Sequence, residues 1–169
     1  MERLKGKTAI VVGAGSIGPG WGNGKATAVT FAREGAQVFC VDRNQAAAQQ
    51  TVDIITSEGG AATAFTADAA SASDVEAMVA ACLKAYGRIN VLDNNVGIAE
   101  MGNVVDVSEA SWDHVFNVNL KSAFLTMRGN GVPYRNVMSR HFEMSEPRPE
   151  EMVMQPRSFC AEVSAAHTA

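Results

Sequence analysis

Residues Thr8 to Val12 (TAIVV) form a short, almost wholly apolar run closed by a glycine, and Gln37 to Val41 (QVFCV) form a second, closed by Asp42. Runs this short and this apolar predict strands buried on both faces. Between them, Lys25 to Glu34 (KATAVTFARE) puts Ala28, Val29, Phe31 and Ala32 largely on one side of a helix that Gly35 stops. The pattern then repeats. Asn44 predicts the cap of a helix reaching about Ser57, a strand follows near Thr63 to Thr66, and a helix runs from Ser73 to Ala85, with Ser73 and Glu76 at capping-box spacing. Residues 89 to 93 (INVLD) predict a fourth strand, and Ser108 to Met127 one long helix carrying Trp112, Val115, Phe116 and Asn119 on one face. Strands alternating with helices predict an α/β fold with a doubly wound parallel sheet, because right-handed crossovers place helices on both faces.

The rhythm stops inside NLKSAFLTMRGNGVPYRN, residues 119 to 136. The segment after Met127 holds four of the five prolines and half of the eight methionines, and has no leucine, isoleucine or lysine. It lacks core-building material. The expected organisation is a domain over residues 1–127 and an irregular C-terminal tail over 128–169, with short helices at most near Pro149 to Met154 and Ser158 to Ala166.

A chain of 169 residues, 47% hydrophobic, has material for one proper core. Its formal charge of -4 and pI near 5.3 supply no basic field for nucleic acid or an anionic membrane, so neither is expected as a partner. MERLKGKTAIVV is unlike a signal peptide and no apolar run approaches the ~20 residues that span a bilayer. The expectation is a cytoplasmic protein. Cys40, Cys82 and Cys160 are widely spaced and odd in number, which predicts buried or incidental thiols and no metal site.

Chemistry concentrates after the first strand, where GAGSIGPGWGNGK places glycine at every second position from Gly18 to Gly24. Glycines there let backbone N–H groups approach a pyrophosphate, and the following helix N-terminus adds favourable partial positive charge. Asp42, at the end of the second strand, is where a carboxylate accepts hydrogen bonds from the ribose hydroxyls of a dinucleotide and repels the extra phosphate of NADP. NAD is the expected cofactor. Arg43 argues the other way, since a neighbouring guanidinium pairs with that phosphate unless it is simply a solvated charge.

With these residues in view, the chain from residue 4 to about Met127 resembles the short-chain dehydrogenase/reductase family. The family's TGxxxGxG loop looks like Val12-Gly13-Ala14-Gly15-Ser16 followed by Gly22-Asn23-Gly24, with IGPGW inserted and valine in place of the usual threonine. The family's acid after strand three looks like Asp68, which the resemblance sets, with the backbone of Ala69, against adenine. Its NNAG motif is matched by Asn94-Asn95-Val96-Gly97, beside the cofactor ribose, with valine replacing alanine. NVNLKS resembles the segment that carries a supporting asparagine, so the resemblance gives Asn119 a catalytic supporting role: holding a water and the lysine of a proton relay. Taken without the family, Asn119 reads as a helix residue satisfying a local backbone group. The implied fold is a Rossmann-like sheet, incomplete at about four strands in the order 3-2-1-4. The implied reaction is hydride transfer between NAD(H) and a small alcohol or ketone.

Family members then place a serine after strand five and a YxxxK pair on the next helix. A phenol of ordinary pKa near ~10 is a poor base at neutral pH without a fixed cation beside it. Here the last lysine is Lys121. Tyr86 has Asn90 four residues on, and Tyr134 has Met138. Ser139, His141 and Ser145 are conceivable substitutes, but their spacing does not suggest an assembled relay. Three readings therefore stand at this point: an active NAD-dependent oxidoreductase, an NAD-binding module with little or no turnover, and an assembly protein with a vestigial pocket. A sheet ending at its fourth strand would leave an unpaired edge, which predicts association, a homo-oligomer being the simplest form. The break at Met127 is what a shifted reading frame would produce, the competing explanation being a natural shortened relative. Sequencing the gene across codons 127 and 128 discriminates them.

Overall fold

The computed structural model describes residues 2–100 and 102–129. Tyr134, Ser139, His141 and Ser145, and the helices expected at 149–154 and 158–166, lie outside the described residues. Four strands, β1 (Thr8–Val12), β2 (Gln37–Asp42), β3 (Ala61–Thr66) and β4 (Val91–Asn94), form one parallel sheet in the order β3-β2-β1-β4. Thr8 pairs with Gln37, Ala9 with Val91, and Gln37 with Ala61. This is the expected fold and strand order. Three helices make the crossovers: α1 (Asn23–Arg33), α2 (Gln45–Ser57) and α3 (Ala72–Tyr86).

The continuous apolar run of β1 is explained by where its side chains go. Ile10 and Val12 join Phe39, Val41, Met78 and Leu92 on the α3 face, whereas Ala9 and Val11 join Val29, Val38, Val52 and Ile55 on the face of α1 and α2. Successive strand residues point to opposite faces, and both faces here are covered, so each position must be apolar. Asn44 caps α2 as expected, accepting the Ala47 N–H. The α3 cap differs from expectation. It is Ser71, not Ser73, that caps the helix, accepting the Asp74 N–H, so that α3 begins at Ala72 and Ser73 lies inside its first turn.

A larger correction concerns the last helical stretch. The single helix expected from Ser108 to Met127 is three pieces: α4 (Glu109–Phe116), a π turn over Asn117–Lys121, and α5 (Ser122–Gly129). The widened turn carries Asn119, whose amide holds a loop beyond β4. It also shifts the buried face. Ser122, Ala123, Leu125 and Thr126 pack inward, while Trp112 and Phe116 stack on each other, centroids 4.5 Å apart, with 54% and 43% of their surface exposed. Among the described residues no strand pairs with the outer edge of β4, and no helix is long and apolar enough to cross a membrane.

Phe39 anchors the α3 face, fully buried with ring centroids 5.6 Å from Phe65 and 6.3 Å from Tyr86. Phe39→Ala is expected to cost about 3–5 kcal/mol in urea unfolding, and Leu83→Ala, on the exposed side of α3, about 0.5 kcal/mol. Burial pushes the Cys40 and Cys82 thiols up to about 12, so neither is a thiolate near neutrality. Peptide mapping after mildly alkaline iodoacetamide treatment should find both unmodified in native protein and both alkylated after denaturation.

Candidate functional site

The carboxyl ends of the strands open on one side of the sheet, the place where open α/β folds form their binding crevice. The turn after β1 is built tightly there. Gly13 and Ala14 both donate their N–H groups to the Val41 carbonyl, at 2.8 and 2.9 Å, and Asn95 N–H reaches the Val12 carbonyl at 2.8 Å. Gly13 adopts φ +78°, and a Cβ on it would lie 3.1 Å from the Asn95 backbone. A Cβ on Gly24 would fall 1.8 Å from the Gly13 carbonyl oxygen. The first turn of α1 therefore rests on bare backbone. Its N-cap, Gly22, provides no capping side chain, and no acidic residue occupies that first turn. The leading N–H groups keep their capacity for an anion.

Asp42 is tied into the same turn. Its Oδ2 accepts the Gly15 N–H at 2.9 Å and its Oδ1 the Asn44 N–H at 2.9 Å, leaving further lone pairs on both oxygens. A Cβ on Gly15 would meet Asp42 Oδ2 at 2.8 Å and the Ala47 Cβ at 2.6 Å. The buried Thr51 hydroxyl donates to the Ala14 carbonyl at 2.7 Å, bracing the turn from α2. Nothing in the linear sequence marked that threonine, which looks like any mid-helix residue. Ser16 Oγ accepts the Gly22 N–H at 2.8 Å and donates to the Gly20 carbonyl at 3.1 Å, while Asn23 stands exposed at the head of α1. Arg43 is exposed beside Asp42.

On the neighbouring strands, Asp68 is exposed and accepts the Ala70 N–H on Oδ1 at 2.8 Å, with Ala69 buried beside it. The Asp68 N–H donates to Asp74 at 3.0 Å, and this bond, with help from the Ser71 hydroxyl, holds the Asp74 carboxyl below the usual carboxylate range. The Asn95 amide donates to the Asp93 carboxylate, and the Val96 N–H donates to Asn94 Oδ1 at 3.1 Å. Gly97 leads into Ile98, whose N–H and carbonyl are both held by the Asn119 side chain at 2.8 Å.

One cleft of about 780 Å³ gathers these groups. It runs from Asp42, Arg43, Asp68 and Ala69, past Gly13, Gly15, Ser16, Gly22, Asn23 and Gly24, to Asn95, Val96 and Gly97. Asn119 is the exception among the predicted residues. It stands behind the wall, clamping Ile98, and the satisfied backbone groups belong to a loop 21 residues away and not to its own helix. His114, Asn117 and Val118 line the far end, and the sequence reading missed all three because it treated this stretch as a regular helix. Among the described residues no group of three or more His, Cys, Asp or Glu is placed to hold a metal ion.

A parallel 3-2-1-4 sheet with a bare glycine turn and an acid closing the second strand is a Rossmann-like nucleotide fold. Residues 7–131 match the model of the short chain dehydrogenase family, and the chain belongs to that family. It is 38% identical over 122 residues to an uncharacterized oxidoreductase of Thermotoga maritima, covering 72% of this chain and 46% of that protein. It is 36% identical over 122 residues to the (2S)-[(R)-hydroxy(phenyl)methyl]succinyl-CoA dehydrogenase subunit BbsD of Thauera aromatica, covering 72% and 47%. Among solved structures, a Burkholderia xenovorans protein assigned to the short-chain dehydrogenases/reductases superposes with TM-score 0.74 at 43% identity, over 76% of this chain and 51% of that one. Hydroxysteroid dehydrogenase from Escherichia coli superposes with TM-score 0.68 at 34% identity, over 75% and 51%. The chain thus spans about half the length of these relatives.

Gly24→Ala is expected to destabilise by more than about 4 kcal/mol, since its methyl group would overlap a backbone oxygen that cannot yield. Gly18→Ala has open space around it and should change stability by no more than about 0.5 kcal/mol in the same urea titration.

Proposed function

We propose that residues 1–127 form the dinucleotide-binding unit of a short-chain dehydrogenase/reductase-type protein and that the dinucleotide is NAD(H). The observation that carries this reading is the direct bond from the Gly15 N–H to the Asp42 carboxylate, which couples a side-chain-free turn to an acid at the ribose position. A pyrophosphate at that turn would meet the leading N–H groups of α1, and Gly13, Gly15 and Gly24 let the turn, Asp42 and α1 pack closely enough to present them there. Asp42 would accept from the ribose hydroxyls and repel a 2′-phosphate. Arg43, solvated and exposed, does not reverse that preference. Asp68 and Ala69 would bound the adenine, and Asn95, Val96 and Gly97 the second ribose.

Bound nicotinamide supplies a hydride donor or acceptor for an alcohol or ketone. The chain's own contribution to the proton side of that exchange is the weak point. Within these 169 residues no tyrosine is followed four positions later by lysine, so no phenol is paired with a fixed ammonium in the family's manner. Asn119 secures the loop at the cleft's far end through Ile98 and so acts as a positioning residue. We therefore read the chain as an NAD(H)-binding protein with little or no turnover of small alcohols and ketones.

Titrating NADH while following tryptophan emission tests the reading. Saturable binding is expected, with NADPH weaker by about tenfold, and Asp42→Ala should weaken NADH and erase most of that gap. A flat titration would refute the reading and favour an assembly role. A screen of alcohols with NAD⁺ and ketones with NADH should show at most trace conversion. Turnover that disappears in Tyr134→Phe would overturn the second half of the proposal.

A further inference from the structure

Two large apolar side chains in the cleft lining are exposed, Ile17 completely and Trp21 by 61%, and both belong to the inserted Ile17–Trp21 segment. Leaving such surface in water is unfavourable unless something covers it. The base of the segment is fixed. The Gly20 carbonyl accepts from Ser16 Oγ at 3.1 Å and from Lys25 Nζ at 3.2 Å, and Lys25 is only 6% exposed. A buried ammonium is costly to desolvate, so its bond to that carbonyl pins the loop to the first turn of α1. The tip is open, because a Cβ on Gly18 would touch nothing within 4 Å and the Ile17 side chain is wholly exposed. A rigid base and an unencumbered apolar tip thus stand midway along the cleft, between its Asp42 end and its Asn95 end.

We propose that Ile17–Trp21 is a flap that folds over a bound dinucleotide, laying Trp21 and Ile17 against its pyrophosphate-to-nicotinamide half, with Lys25 as the positioning residue that holds the flap through Gly20. The inference rests on the dinucleotide reading above. The occupant follows from position. The flap connects Ser16 to Gly22 and so joins the two halves of the glycine cradle, which puts within its reach the part of the ligand the cradle holds, and the adenosine at Asp42 and Asp68 lies to one side. An indole suits this place, because its face covers apolar and π surface while its N–H still serves a polar group.

Trp112→Phe makes Trp21 the sole tryptophan of the chain and provides the probe. Saturating NAD⁺ should lower the acrylamide quenching slope of Trp21 several-fold, whereas adenosine, which has no phosphate to enter the glycine cradle, should leave it unchanged. By calorimetry, Trp21→Ala is expected to raise the NAD⁺ dissociation constant about tenfold with adenosine affinity unaltered. Lys25→Met should abolish the NAD⁺-dependent shielding of Trp21 at equal adenosine affinity, and Lys25→Arg should restore it. If NAD⁺ binds but Trp21 stays accessible and Trp21→Ala binds equally well, the flap is overturned and the site stands. If neither NAD⁺ nor adenosine binds, the site reading itself fails. Shielding of Trp21 that grows with protein concentration without nucleotide would assign the loop to contact with a second copy and overturn the flap.

Discussion

The contact on which this structure depends is the one between Gly24 and Gly13. Helix α1 begins so close to the end of β1 that a single methyl group on Gly24 would sit 1.8 Å from the Gly13 carbonyl oxygen. That closeness fixes where the helix N-terminus points, and so where its unpaired N–H groups and partial positive charge are delivered. It also sets the height of α1 over the sheet, against which Ala28, Val29 and Val38 pack. Binding geometry and core packing are here one constraint.

Asp42 extends that constraint from β1 to β2. The strand pairing sets Val12 opposite Val41, so Gly13 leaves the sheet next to Asp42, which ends β2 opposite Thr66. One carboxylate oxygen takes the Gly15 N–H and the other the Asn44 N–H that opens α2. The acid thus ties a turn to a helix start while both oxygens retain accepting capacity, an economical way to keep a charged group oriented at the cleft mouth. The π turn does a comparable job at the opposite end. By rotating Asn119 toward Ile98 it lets one side-chain amide satisfy both backbone groups of that loop residue. The same rotation leaves Trp112 and Phe116 facing outward.

The strands and the first three helices were legible because their signals are local. TAIVV and QVFCV contain nothing polar beyond their first residues, and Asn44 offers a capping oxygen at the start of a helical pattern. The cap of α3 was misread because Ser71 and Ser73 are chemically alike and both precede the helical pattern, and only the folded helix start shows that Ser71 is the one outside it, accepting the Asp74 N–H. Phe116, an apolar residue at helical spacing from Trp112, fits a core stripe equally well whether the helix is regular or widened by one turn. Periodicity cannot detect a change of period that begins after the pattern is established.

The sequence by itself determined the residue types at the turn, the acid after the second strand and the alternation of strand with helix, because each is a short-range preference of the backbone or of side-chain burial. Only the tertiary structure decided that Thr51 braces Ala14, that Asn119 works behind the cleft wall and that Lys25 is buried beneath the inserted loop. Each of these joins a side chain to a backbone carbonyl or amide whose position is set by how elements stack. A hydrogen bond requires its partners within about 3 Å, and no spacing along a chain specifies that distance until the helices have settled on the sheet.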